Sequence, residues 1–222
     1  MSPQGAFPGD PDDGFGLIET FRWSREQGYV LLEEHLGRLE HSAATLGFAF
    51  RREAVEGRLQ SYAGDLQGSL HRVRLVLARD GAVAMSATVL DTQPTVAYRV
   101  AVAEPRHRSD DPWLQHKTTM RDRYEAPLAA VSARADEIVF LNERDELCEG
   151  ARSNLFVRHG GEWLTPPLRC GLLPGTLRAK LLRTGEAREA VLHLHDLASA
   201  TAWCLGNSVR GLVPSTLVDV RS

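Results

Sequence analysis

The polar break DTQPT, residues 91–95, constrains the fold of this chain more than any other stretch. Before it, apolar segments alternate in type. FGLIETFRW (15–23) and YVLL (29–32) read as strands around the turn REQG. From residue 33, Leu36, Leu39, Ala43 and Leu46 recur at helical spacing, and Gly47 is a natural stop. Residues 51–66 read as a second helix, and two strands follow around the turn RDGA. This order, ββααββ, is that of an α+β unit. After the break come a strand (YRVAVAE), a polar loop, a helical run from Thr119 to Ala135 containing Pro127, and four short strands in succession. A helix entered through Pro174-Gly175, a short helix capped by Asp196 (HDLASA) and a strand (TAWCLGN) complete the pattern. The expected organisation is a disordered lead-in over 1–14, a small α+β domain over 15–91, a linker over 92–97 and a larger domain over 98–222.

Composition narrows the function. At 222 residues, 43% apolar and 25% charged, the chain buries a core without staples. Its net charge of -3 gives no basic field for nucleic acid. No apolar run approaches a membrane span, and the Gly-, Pro- and Asp-rich start lacks the pattern of a secretory signal. Cys148, Cys170 and Cys204 form no CxxC and read as buried thiols in a reducing cytoplasm. His193 and His195, alternating in LHLHD, would share one face of a strand. No second ligand cluster accompanies them, so no metal is expected.

The chemistry centres on HKTTMRDRY, residues 116–124. Of 26 basic residues only Lys117 and Lys180 are lysines. An amine loses its proton, attacks a carbonyl and forms a Schiff base, which a guanidinium cannot do. Lys180 sits beside Arg178 and Arg183 on a basic helix face and reads as solvated. Lys117 stands alone among cations of its own type. An acid, Glu149, lies at a strand end beside Gly150. Two segments suit a phosphate: GLLPGTLR, leading into a helix N-terminus, and GNSVRG, with Ser208 and its exposed amides. Neither is a P-loop. Together these parts meet the needs of pyridoxal phosphate: an amine for the aldehyde, an acid for the ring nitrogen and a cup for the phosphate.

ETFRW, HLGRLEHSA, HKTT, EIVFLNERDELCEGARSNLFV, TPPLRCGLLPGTLR and GNSVRGLVP resemble, in order and spacing, the class IV pyridoxal-phosphate enzymes. That family holds branched-chain and D-amino-acid aminotransferases and 4-amino-4-deoxychorismate lyases. The form HKTT with Tyr124 downstream, together with GNSVRGLVP, is most similar to the lyase branch. The resemblance implies an α+β, two-domain fold type IV enzyme. It implies that Lys117 carries the cofactor, that Glu149 meets the pyridine nitrogen, and that Arg38, Thr176, Leu177 and Ser208, with Asn207 beside it, hold the phosphate. Thr20 and Arg22 line the substrate side, Val209 and Arg210 the loop over it, and either Arg210 or Arg22 is suited to a substrate carboxylate. It further implies a small-molecule amine substrate, a homodimer and coupling to aminodeoxychorismate synthase in folate synthesis. An aminotransferase is the alternative within the family, and a non-catalytic partner on the same fold a third reading, against which the pairing of Lys117 with Glu149 argues. Two departures stand out. The strand region that precedes ETFRW in the family is short here, so the first sheet is expected to be trimmed. The tyrosine that many aminotransferases place five residues after the lysine is replaced by Asp122, and Tyr124 comes two later.

Overall fold

The computed structural model describes residues 14–91 and 97–219. The expected lead-in, apart from Gly14, and the linker, apart from Ala97, lie outside the described residues. The first sheet is antiparallel and contains β1 (Leu17–Ser24), β2 (Gly28–Tyr29), β3 (Leu70–Leu77) and β4 (Val83–Val89), in the order β2-β1-β3-β4. Two helices, α1 (Leu32–Leu46) and α2 (Arg52–Gly64), cover one face. Leu17, Phe21 and Trp23 of β1 alternate inwards and meet Leu36, Leu39, Ala43 and Leu46 of α1 and Val55 and Leu59 of α2 in one core. Period 2 on the strands and period 3.6 on the helices therefore bring the two apolar faces together.

YVLL is not the second strand expected. Only Gly28 and Tyr29 pair with β1, Leu31 turns into the left-handed region at φ 56°, and α1 begins at Leu32. A short apolar run satisfies either period, and here Leu32 joins the helical stripe packed on β1. Gly47 ends α1 as expected, with φ 70° and its N–H bonded to the Ala43 carbonyl.

The second sheet holds β5 (Tyr98–Val102), β6 (Glu137–Leu141), β7 (Leu147–Gly150), β8 (Asn154–His159), β9 (Glu162–Thr165), β10 (Ala187–Glu189), β11 (Ala202–Asn207) and β12 (Gly211–Leu217). Its order is β10-β9-β8-β11-β12-β5-β6-β7, and β7 pairs again with β8. Six strands thus close on themselves around Val100, Val139, Leu141, Leu155, Val157 and Leu205, a closure that leaves them without free edges. On the other face of these strands α3 (Asp122–Val131) packs Leu128 against Ala101, Ile138 and Phe140, and α4 (Thr176–Arg183) packs Leu181 against Phe156, whereas α5 (Leu194–Ser199) adds Leu197 to the core that the strands enclose.

Two expectations change here. The helix predicted from Thr119 to Ala135 is only α3, because the residues before it are extended and joined to β1. Ile18 N–H donates to the Lys117 carbonyl at 2.8 Å, and Thr119 N–H to the Gly16 carbonyl at 2.9 Å. Those backbone groups are no longer available to a helix. The histidine pair does not project from a strand. His193 caps α5, His195 lies in its first turn, and Asp196 accepts from His193 N–H at 2.7 Å, closing the capping box from inside the helix. All three cysteines are buried and free.

Candidate active site

A cleft of about 470 Å³ opens between the two sheets. Lys117 lines it, held from behind by the backbone bridge to β1. Thr119 Oγ accepts from Gly16 N–H at 3.0 Å, and His116 Nδ1 lies 2.9 Å from Ser42 Oγ of α1. The lysine segment is therefore tied to β1 and α1 of the first part of the fold. Burial pushes its amine down to about 7, the Arg121 and Arg38 charges act in the same direction, and Glu19 and Glu149 oppose them.

Glu149, at the end of β7, lines the same cleft. Its Oε2 accepts the Leu173 N–H at 3.1 Å and its Oε1 the Tyr124 hydroxyl at 3.1 Å. Burial raises its pKa to about 7 against those two donors and Lys117. Tyr124 stands edge-on to Phe140, with ring centroids 5.6 Å apart. Tyr124 thus donates to the acid that lines the same cleft as the lysine.

The far end is built by the start of α4 and the β11–β12 turn. Gly175 is required there: a Cβ would fall 1.7 Å from Asn154 Oδ1, so only glycine lets the turn close on β8. Thr176 and Leu177 follow in the first turn of α4, where amides lack helical partners. Ser208, Val209 and Arg210 line the cleft from the other turn. Asn207 also lines it, but its side chain shapes the turn. Its Oδ1 accepts from Val209 N–H at 3.0 Å and Arg210 N–H at 2.9 Å, and its Nδ2 donates to Ser153 Oγ at 3.3 Å.

Arg38 reaches the cleft from α1. It donates to Glu19 through Nε (2.9 Å) and Nη2 (2.6 Å) and to the Pro174 carbonyl through Nη1 (3.1 Å). Thr20 lines the cleft from β1, whereas Arg22, two residues on, is not among the lining residues. In its place the cleft has Arg72 and Arg74 of β3, paired with Arg22 and Thr20 in the β1–β3 register. These two occupy the exposed phase of β3, opposite Val73 and Leu75, so strand alternation could have revealed them. Glu19 and His35 were missed as well. The available signal was an acid at the position of β1 between the inward-facing Leu17 and Phe21.

An amine at its deprotonation point faces the same cleft as a buried acid with fixed donors. At the far end are an arginine, two hydroxyls and a helix N-terminus. This donor set fits pyridoxal phosphate: amine for aldehyde, carboxylate for ring nitrogen, cationic and N–H-rich cup for phosphate.

The chain belongs to the amino-transferase class IV family, whose pattern it matches over residues 16–218. It has the family's α+β, two-domain fold type IV, and the family is one of pyridoxal-phosphate enzymes. A Schizosaccharomyces pombe protein provisionally named aminodeoxychorismate lyase is 28% identical over 210 residues, covering 91% of this chain and 89% of that protein. A Mesorhizobium loti structure provisionally described as an amino-acid aminotransferase is 39% identical, with TM-score 0.87, covering 92% of this chain and 100% of that one. A Mycobacterium tuberculosis structure described as a hypothetical aminotransferase in its PLP-bound form shares the fold at 21% identity and TM-score 0.78, covering 91% of this chain and 81% of that one. Among the described residues no helix is long and apolar enough to cross a membrane.

Proposed function

We propose that the chain is a pyridoxal-phosphate-dependent 4-amino-4-deoxychorismate lyase, releasing pyruvate and 4-aminobenzoate. The observation that carries the reading is the cationic lining of the cleft. Arg72, Arg74, Arg152 and Arg210 all line the cleft, more positive charge than a branched-chain amino acid would call for. Guanidinium groups suit a cyclic substrate bearing carboxylates away from its amine. The Schizosaccharomyces pombe relative, similar over nearly the whole of both chains, supports the same branch.

Bound pyridoxal phosphate would supply an electron sink for the pair left on carbon when a proton departs. Lys117 Nζ accepts that proton from the carbon bearing the substrate nitrogen, a task suited to an amine with a pKa of about 7. Glu149 presents its carboxylate to the ring nitrogen, with Tyr124 and the Leu173 amide fixing its orientation. Arg38, the Thr176 and Leu177 amides and Ser208 hold the phosphate. Arg210, Arg72 and Arg74 hold substrate carboxylates while the enolpyruvyl group leaves as pyruvate. Gain of aromaticity in 4-aminobenzoate favours the forward direction. A homodimer, a cytoplasmic setting and supply of substrate by aminodeoxychorismate synthase belong to the same proposal. The Mesorhizobium loti relative favours a second reading, a class IV aminotransferase.

Product analysis separates them. With aminodeoxychorismate made in place by its synthase, the lyase is expected to release pyruvate and 4-aminobenzoate in equal amounts without a keto-acid acceptor. Rapid turnover of leucine, valine or D-alanine with 2-oxoglutarate or pyruvate, and negligible 4-aminobenzoate, would replace the lyase reading with the aminotransferase.

A further inference from the structure

At the phosphate end of the cleft, which His35 itself lines, buried Glu19 and His35 have no role assigned above. Glu19 is 1% exposed, and besides its two bonds from Arg38 it faces His35 Nδ1 at 2.5 Å. Burial alone would raise this carboxyl, but the Arg38 guanidinium and the hydrogen bonds from Arg38 and His35 outweigh it and keep it ionised. An ionised carboxylate only accepts, so Nδ1 carries a hydrogen. His35 Nε2 then points at Ser208 Oγ, 3.0 Å away on the β11–β12 turn, and at Thr176 Oγ1, 3.3 Å away at the start of α4. Those hydroxyls belong to the phosphate end of the cleft.

The direction of these bonds matters. A neutral imidazole with Nδ1–H is an acceptor at Nε2, so a hydroxyl must turn its hydrogen inwards to meet it, and the Ser208 hydroxyl has the Thr20 carbonyl, 3.4 Å away, as a second inward partner. A phosphate dianion requires the reverse, with hydroxyl hydrogens facing outwards. We propose that binding of a phosphate ester at the α4 end of the cleft is accompanied by protonation of His35 from solvent. Nε2 then donates, and the Ser208 and Thr176 hydroxyl hydrogens turn to the phosphate. His35 thus acts as a positioning residue, through those two hydroxyls.

The surroundings agree. Glu19 faces His35 from β1, Arg38 from its own helix, Lys117 from the extended segment, and Thr176 and Ser208 from α4 and the turn, with the Phe21 ring 4.5 Å away. Burial pushes the imidazole pKa below its ordinary value, Glu19 pulls it back up, and Arg38 and Lys117 lower it. The ligand-free cleft therefore favours neutral His35. A dianion beside Ser208 adds negative charge and favours the imidazolium.

The inference rests on the pyridoxal-phosphate reading, and its test keeps the two apart. Pyridoxine 5′-phosphate and pyridoxine lack the aldehyde and differ only in the phosphate. Titration calorimetry of the cofactor-free protein near about pH 8, in two buffers of different ionisation enthalpy, counts the protons taken up. About one proton per bound ester is expected, and none with pyridoxine. The ratio of the two affinities should fall about tenfold per pH unit above roughly pH 7.5, where the ester is already a dianion (second pKa ≈ 6). His35→Gln should abolish the uptake and flatten the ratio. A flat ratio in the wild type, or uptake unchanged in His35→Gln, would overturn the role of His35. If the wild type binds neither compound and captures no pyridoxal phosphate, the cofactor reading falls as well. Capture of pyridoxal phosphate without proton uptake on ester binding rejects this inference alone.

Discussion

Lys117→Ala is expected to lower turnover by at least about a thousandfold, the scale of losing a positioned general base. The loss should exceed that of any other single substitution, because the same nitrogen captures the cofactor and moves the proton. Lys180→Ala is the control. Lys180 sits on α4, paired with Glu186 at the surface, and its loss should leave activity near that of the wild type. The amine also sets a pH dependence. Only its neutral form attacks an aldehyde, and its pKa lies at about 7. Capture of pyridoxal phosphate by the cofactor-free protein should therefore accelerate as pH rises through about 7 and level off above about 8. Absorbance stopped-flow across that range gives the profile. Capture as fast in Lys117→Ala as in the wild type would exclude the residue.

The second large effect is expected at Glu149. Glu149→Gln removes the negative charge from the ring-nitrogen position and puts an NH₂ group opposite one of two donors, the Leu173 amide on Oε2 or the Tyr124 hydroxyl on Oε1. The cofactor should remain bound, since the phosphate cup is untouched. Proton removal should slow by about 2–4 kcal/mol of barrier, the scale of one preorganised electrostatic partner. Pre-steady-state kinetics on the cofactor-loaded variant measures this. Wild-type rates in Glu149→Gln would refute the ring-nitrogen role.

Much of this site was legible before the fold was known because its residues have chemical types that a sequence exposes. Lys117 is conspicuous in a chain that writes nearly every cation as arginine, and Pro174-Gly175 announces a helix start by local backbone rules alone. The Glu19–His35 chain was not legible. It joins β1 to α1, and His35 then reaches residues 141 and 173 positions away, a juxtaposition that no local spacing encodes. Arg72 and Arg74 were hidden differently. Their strand is marked in the sequence by its apolar phase, whereas the polar phase carries no sign of which surface it faces. The extended start of the run from Thr119 was hidden for a third reason. Thr119 to Ala135 has helical periodicity, and only the backbone bonds to Gly16 and Ile18 decide against a helix at its start. The closure of the second sheet through β7 and β8 likewise depends on a register, Glu149 against Asn154, that only the folded chain shows.

The central claim is that Lys117 carries pyridoxal phosphate in the cleft between the two sheets. Borohydride reduction of the cofactor-loaded protein, followed by proteolysis and mass spectrometry of the peptides, tests it most directly. The account predicts a pyridoxyl group on the peptide containing Lys117 and on no other. A label on Lys180, or no label on protein saturated with pyridoxal phosphate, would contradict it.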